Sequence, residues 1–399
     1  MDLPSSPAPL PRRSLPNARL ARGDAIGLTR ALVAVDSRNP VISPGGAGEG
    51  AVAAVLAEVL ADWGFAVELQ EVAPGRPNVI ARTGRRGGPV LMFNGHLDVV
   101  GIEGMLHAPF DPVLRDGRIY GRGSADMKAG IAAMCAAAAR ASSETSAELV
   151  LAAVIDEEDV SLGARALVAG GFRADAAIVT EPTQLAIMPA HRGFVWLEIE
   201  LHGRAAHGSR YDLGIDAIRH AGLLLADLDA FEETVLVTRT HPLLGHASLH
   251  ASLVHGGIGM STYPDRCTLS LERRTVPGED ADSVVAEVKD AFARITARRP
   301  TFDASLRVIF AQGPSDVAVD ALVVRQLRSA IVAEGIAPQV AGMSAWTDAA
   351  ILNGAGIPAI CFGPGDIRLA HAAEEWVPVA EIEAATAVLT RMALAFGAG

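Results

Sequence analysis

Histidine and carboxylate side chains recur along this chain at spacings that suit a metal centre. His96 and Asp98 stand two residues apart in Asn94-Gly95-His96-Leu97-Asp98, directly after the short apolar run 89–93. If the backbone is still extended there, period-2 alternation turns both side chains to one face, as a metal ligand and its supporting carboxylate require. Asp126 lies in the glycine-rich turn Gly121-Arg122-Gly123-Ser124-Ala125-Asp126-Met127-Lys128, just ahead of a helical-looking stretch over 127–140. Asp156-Glu157-Glu158 follows the apolar run 149–155, and Thr180-Glu181-Pro182 follows 176–179. Ala370-His371 comes after the run 358–362 and its Gly-Pro-Gly turn. Alone, any one of these reads as a buried histidine or a helix-capping carboxylate. All but Asp126 stand just past the C-terminal end of a predicted strand, where open α/β sheets gather their ligand sites. One carboxylate-rich centre with two histidines accounts for them together.

The elements that must position these groups follow from apolar periodicity. Helices are predicted over 24–35 and 51–63, a Pro/Gly-rich loop over 39–49, and strands over 65–69, 78–82 and 89–93. The segment 98–121 is a long loop with a hairpin signal at Arg115-Asp116-Gly117-Arg118. Beyond it, the alanine-rich stretch 127–140 is apolar nearly all round and predicts a buried helix. Strands over 149–155 and 176–180 flank a helix near 162–169, the pattern of a mainly parallel sheet covered on both faces.

Near Leu185 the pattern changes. Residues 195–201 alternate apolar and polar, as a half-exposed antiparallel strand does. Helices near 215–228 and 281–297 and strands near 248–254, 266–272 and 305–310 complete an α+β insert, and after Asp316 the α/β pattern resumes. The expected organisation is a disordered leader over 1–22, a split metal-binding catalytic domain over 23–186 and 312–399, and a smaller α+β domain over 187–311.

The ordered set His96-x-Asp98, Gly-Arg-Gly-Ser-Ala-Asp126-Met-Lys, Asp-Glu157-Glu158, Thr-Glu181-Pro and Ala-His371 resembles the M20 family of metallopeptidases and deacylases. Its nearest likeness is to the acetylornithine deacetylase and succinyl-diaminopimelate desuccinylase members. The resemblance spans about 25–394 and implies a zinc-exopeptidase-like α/β fold with an inserted lid or dimerisation domain. It implies two divalent ions bridged by Asp126, with His96 and Glu181 completing one shell and Glu158 and His371 the other. A mixed imidazole and carboxylate shell suits Zn²⁺, with Co²⁺ or Mn²⁺ as substitutes. Asp98 would take the second ring N–H of His96, and Glu157 would be the general base for a water whose pKa the ions lower to roughly 7.

In the insert, Gly203-Arg204-Ala205-Ala206-His207-Gly208-Ser209 resembles the family's lid motif, whose histidine steadies the tetrahedral intermediate across a homodimer interface. Arg274 resembles the arginine that grips a substrate carboxylate. A surface strand-end arginine remains the alternative, and Arg273 beside it leaves the choice open. Ser261 stands where relatives usually carry Asn, Tyr211 replaces a common Pro, and the aromatic residue often found upstream of Ala108-Pro109-Phe110 is missing. These departures bear on substrate identity and leave the metal chemistry untouched.

Composition narrows the partners. A formal net charge of −12 with no long basic run speaks against nucleic acid and anionic membrane surfaces. Three scattered cysteines with no C-x-x-C pair fit a reducing compartment, so a cytoplasmic protein is expected. No apolar stretch is long enough to span a bilayer, and the first twenty or so residues lack an apolar signal core. The expected activity is a dinuclear amidohydrolase acting on an N-acyl amino acid or related small amide. A di-, amino- or carboxypeptidase on the same scaffold is the alternative. A non-enzymatic binding protein would be expected to have lost a ligand or the base, and none is lost.

Overall fold

A computed structural model describes residues 19–397; the leader expected over 1–22 lies, up to residue 18, outside them. The described residues divide into two units, one holding 19–89, Phe93–Gly163 and 364–397, the other Val90–Met92 and Ala164–Gly363.

In the first unit, Asp24 starts the helix Ala25–Val33 by accepting from Gly27 N at 2.8 Å, and Leu28 and Leu32 on its inner face are fully buried. The helix Gly50–Asp62 buries Val52, Leu56 and Leu60 in the same i, i+4 rhythm. A tight turn at Gly75, where φ is 72°, folds Ala66–Ala73 back on Arg76–Gly84 as an antiparallel hairpin. Arg76–Gly84 then pairs antiparallel with Glu148–Val154, and Val90–His96 lies beside that strand. Both of these pairings are antiparallel, and the hairpin needs only a glycine turn where parallel strands need a crossover. The alanine-rich helix Ala129–Ala141 is buried along almost its whole length and packs on the closing helix Val379–Ala395.

The turn that precedes Ala129–Ala141 carries Asp126. Its residues Asp126 and Met127 leave helical geometry, with φ of −119° and −134°. Gly123 enters the turn at φ 80°, and a Cβ there would fall 2.6 Å from Val99 Cγ1. Only glycine meets both conditions.

In the second unit, Ala176–Val179 runs parallel to Ala359–Cys361, while Ile187–His191 pairs antiparallel with Ser315–Asp316 and parallel with Val340–Met343. A separate antiparallel sheet has the order Ser248–Gly256, Arg266–Thr275, Gly193–His202, Asp303–Gln312. The predicted alternation along Gly193–His202 is realised: Val195, Leu197, Ile199 and Leu201 are buried. They pack with Leu224 and Leu228 of Ala217–Thr234 and with Val284 and Val288 of Ala281–Arg298. On the opposite face Phe194, Trp196 and Phe310 pack together as tilted rings.

Candidate metal centre

His96 ends its strand and is buried to 1% exposure. Its Nδ1 lies 3.0 Å from the main-chain carbonyl of Asp98 and 3.6 Å from that residue's carboxylate. The carbonyl is thus the nearer partner of Nδ1, and the carboxylate expected to support this ring stands just behind it. This turns Nε2 toward Asp126, whose Oδ1 is 3.0 Å away. Glu158 comes from the turn after Glu148–Val154, and its Oε2 is 2.9 Å from His371 Nε2. His371 Nε2 is also 3.6 Å from Asp126 Oδ2. Donor atoms of His96, Asp126 and Glu158 all lie within 4.8 Å of one another.

The electrostatics ask for a cation. Burial alone would lower the His96 pKa, but hydrogen bonds and charge from Asp126 and Asp98 hold it well above its usual value. His371 is raised to about 9, chiefly by its hydrogen bond to Glu158 and against the effect of burial. Burial and the nearby Asp126 charge push the Glu158 carboxyl up. Asp126 is lowered: burial would raise it, and His96 outweighs burial. Buried carboxylates are recruiting positive charge from two imidazoles, and imidazole and carboxylate oxygens with no thiolate are the donors a divalent ion such as Zn²⁺ accepts. The residues fit the metal.

A layer of buried groups holds these donors in place. Asp98 Oδ1 accepts from Glu157 N at 3.1 Å, and its Oδ2 accepts from Glu158 N at 3.2 Å and Asn39 Nδ2 at 2.9 Å. Its carboxylate thus anchors the turn that presents Glu157 and Glu158. Glu375 does the same for Asp126. Its Oε1 accepts from Ala125 N and Asp126 N at 3.0 and 3.2 Å, and its Oε2 from Gly123 N at 3.1 Å and Arg122 Nη1 at 2.7 Å. Further back, Arg76 joins Glu49 at 2.6 Å to Asp156 at 2.8 Å. Sequence reasoning missed Glu375, Asn39, Arg76 and Glu49. The nearest signal was the Glu374-Glu375 pair four residues past His371, which reads as solvated charge.

The structure thus brings His96, Asp98, Asp126, Glu157, Glu158 and His371 together in the first unit. Glu181, His207, Ser261 and Arg274 belong to the second. Glu181 follows Ala176–Val179 and is 3% exposed. His207 is exposed, with Nδ1 2.8 Å from Ser209 Oγ. Ser261 is held beside it, because Gly208 N donates to Ser261 O at 2.7 Å and His207 bridges Thr262. The two neighbouring arginines separate clearly. Arg273 is fully buried against Glu279 at 2.6 Å and Glu287 at 3.2 Å. Arg274 is partly exposed, pairs with Glu272 and lies 5.4 Å over the Phe194 ring. A further arginine, Arg192, is close enough that burial and then the Arg274 charge lower its pKa.

Imidazole and carboxylate donors converging at the strand ends of an α/β unit mark a divalent-metal site. Residues 92–395 match peptidase family M20/M25/M40, and the chain belongs to that family. It is 32% identical over 345 residues to the acetylornithine deacetylase of Myxococcus xanthus, covering 84% of this chain and 89% of the relative. A Mycobacterium tuberculosis protein that carries the name succinyl-diaminopimelate desuccinylase DapE is 30% identical over 380 residues, covering 93% and 98%. The fold is also that of a dinuclear metal-binding peptidase of the M20 family from Bacillus subtilis, with a TM-score of 0.71, 17% identity and coverage of 93% and 97%. Among the described residues, no helix is long and apolar enough to cross a membrane.

Proposed function

We propose that this M20 hydrolase removes the acyl group from an N-acyl amino acid or a related small amide. The observation that carries the reading is the convergence of His96, Asp126 and Glu158, with His371 2.9 Å from Glu158. The deacetylase and desuccinylase names of relatives matched over most of their length support the choice of substrate class. His96, Asp126, Glu158, Glu181 and His371 would hold two divalent ions, Zn²⁺ by preference and Co²⁺ or Mn²⁺ as substitutes. Such ions supply Lewis-acid polarisation of the amide carbonyl and a water acidic enough to lose its proton near pH 7. Glu157 takes that proton on its carboxylate and returns it to the leaving amine, which it can do because its main chain is fixed on Asp98.

The remaining roles follow from the second unit. His207 donates to the oxyanion that develops as the amide is attacked. Arg274, with Arg192 beside it, offers guanidinium groups to a substrate carboxylate, and Ser261 supplies a smaller polar contact. Residues 187–311 act as a lid and dimerisation domain of a cytoplasmic homodimer. The exposed apolar side chains Tyr211, Ile258 and Met260 near His207 are suited to an interface.

The test is amine release by metal-loaded protein from N-acetyl, N-succinyl, N-formyl and N-carbamoyl amino acids, run against dipeptides. Turnover of an acyl amino acid that is lost on chelation, with about two ions per chain, is expected. Preference for dipeptides would favour the second reading, a peptidase, which the Bacillus subtilis structure supports. Full turnover by metal-free protein would refute both.

A further inference from the structure

We propose that Asn39 is a positioning residue for the turn Asp156–Glu158. The proposal rests on the reading of that turn as carrier of the base Glu157 and the ligand Glu158. Asn39 is fully buried, and each polar atom of its side chain is used. Nδ2 donates to Asp98 Oδ2 at 2.9 Å and to Asp156 Oδ1 at 3.0 Å, and Oδ1 accepts from Val41 N at 3.0 Å. The amide therefore links two carboxylates, and both hold the same turn. Asp98 accepts the N–H groups of Glu157 and Glu158, while Asp156 Oδ2 accepts those of Val160 and Leu162 at 3.4 Å.

The need for such a link lies in the backbone. Asp156 sits at φ 69°, a left-handed conformation that Asp tolerates better than most side chains. That conformation aims two successive N–H groups at a single anion, Asp98. The anion must then be kept still, yet a second buried carboxylate stands one amide away. A neutral group with two N–H donors bridges the pair without adding charge. An aspartate in its place would add a third negative charge, and an alanine would leave two carboxylates facing each other. Arg76 donates to the same Asp156 Oδ1 at 2.8 Å and spends its other bonds on Glu49, so it does not replace the link to Asp98. With Asn39 removed, Asp98 loses its fixed rotamer and the turn loses the anchor for both glutamates.

The test compares Asn39→Ala and Asn39→Ser with Ser37→Ala. Ser37 is equally buried in the same segment, but its Oγ donates only to Leu97 O at 2.8 Å. Amide hydrogen exchange at 156–158 is expected to quicken roughly 10-fold or more in both Asn39 variants, with exchange in Glu148–Val154 unchanged. On the substrate identified by the acyl amino acid screen, kcat should fall roughly 10–100-fold at nearly constant KM. Ser37→Ala should lower the melting temperature and leave both readouts alone. Normal exchange at 156–158 in a folded Asn39 variant, or a kcat loss matched by Ser37→Ala, would overturn the proposal. Should Asn39→Ala not fold, Asn39→Ser, which keeps a hydroxyl for one carboxylate, carries the test; failure of both to fold would assign Asn39 to stability alone and also overturn it. If wild type turns over no substrate, the exchange arm still judges Asn39, and only the functional reading fails.

Discussion

Replacing Glu375 should damage both the fold and the metal site, although this residue would ligate nothing. Its carboxylate, fully buried, is shared by Arg122 and three main-chain N–H groups of the turn that carries Asp126. Arg122 is 3% exposed, so Glu375→Ala strands a buried guanidinium, and breaking one side of such a pair costs about 3–5 kcal/mol. The orphaned N–H groups add to this, less whatever water enters the space, so about 4 kcal/mol is a fair expectation, or a melting temperature lowered by about 5–10 °C. Glu375→Gln should do little better, because one carbonyl oxygen cannot serve donors arranged around two, and its NH₂ would face other N–H groups. Since Asp126 N is among the held donors, metal affinity should drop roughly 10–100-fold. Chemical unfolding together with calorimetric titration of the metal-free protein with Zn²⁺ measures both effects. A Glu375→Ala protein within about 1 kcal/mol of wild type and with unchanged affinity would refute the argument that this carboxylate organises the turn.

Three other outcomes are expected. Glu157→Gln should keep fold and metal content while kcat falls roughly 10²–10⁴-fold, whereas Glu158→Ala should lose metal; equal metal loss in both would erase that division of labour. His191, whose pKa burial lowers to about 4, should make the protein acid-sensitive. Between pH 4 and 6.5 the unfolded chain binds the proton that the folded chain refuses, so this stability is complete above pH 6.5 and is lost as pH falls toward 4, about 3 kcal/mol in all. His191→Leu should flatten that limb of a urea-midpoint profile, and an unchanged limb would count against it. Finally, if His207 acts across a dimer, mixing His207→Ala with Glu157→Ala chains should restore activity in the mixed dimer; no recovery with mixed dimers demonstrated would place it in cis or outside catalysis.

What could be read from sequence alone, and what could not, divides along the range of the interactions. His96, Asp126 and Glu158 were visible because each is specified locally, by an apolar run that ends or a glycine turn that begins within a few residues. The half-exposed strand over 195–201 was visible for the same reason, since alternation is written into the strand itself. The mixed sheet was less so, because antiparallel pairing of Ala66–Ala73 with Arg76–Gly84 depends on one turn at Gly75. Glu375 meets partners 249 to 253 residues away, and Asn39 reaches carboxylates 59 and 117 residues away. No periodicity distinguishes those side chains from solvated polar residues in loops.

Asp98 shows the harder case. Its place beside the His96 ring could be read from spacing, but its hold on the Glu157-Glu158 turn could not. Extended geometry would have aimed its carboxylate at the His96 ring, and the chain leaves the strand at His96 instead. With the strand ended, the carbonyl of Asp98 reaches the ring and its carboxylate is free to take the two N–H groups of the Glu157-Glu158 turn. The left-handed backbone at Asp156 and at His371, φ 69° and 61°, belongs to the same category. Neither position carries the glycine that would have announced it, so the strain is held there by tertiary contacts and appears only once the ligands are assembled.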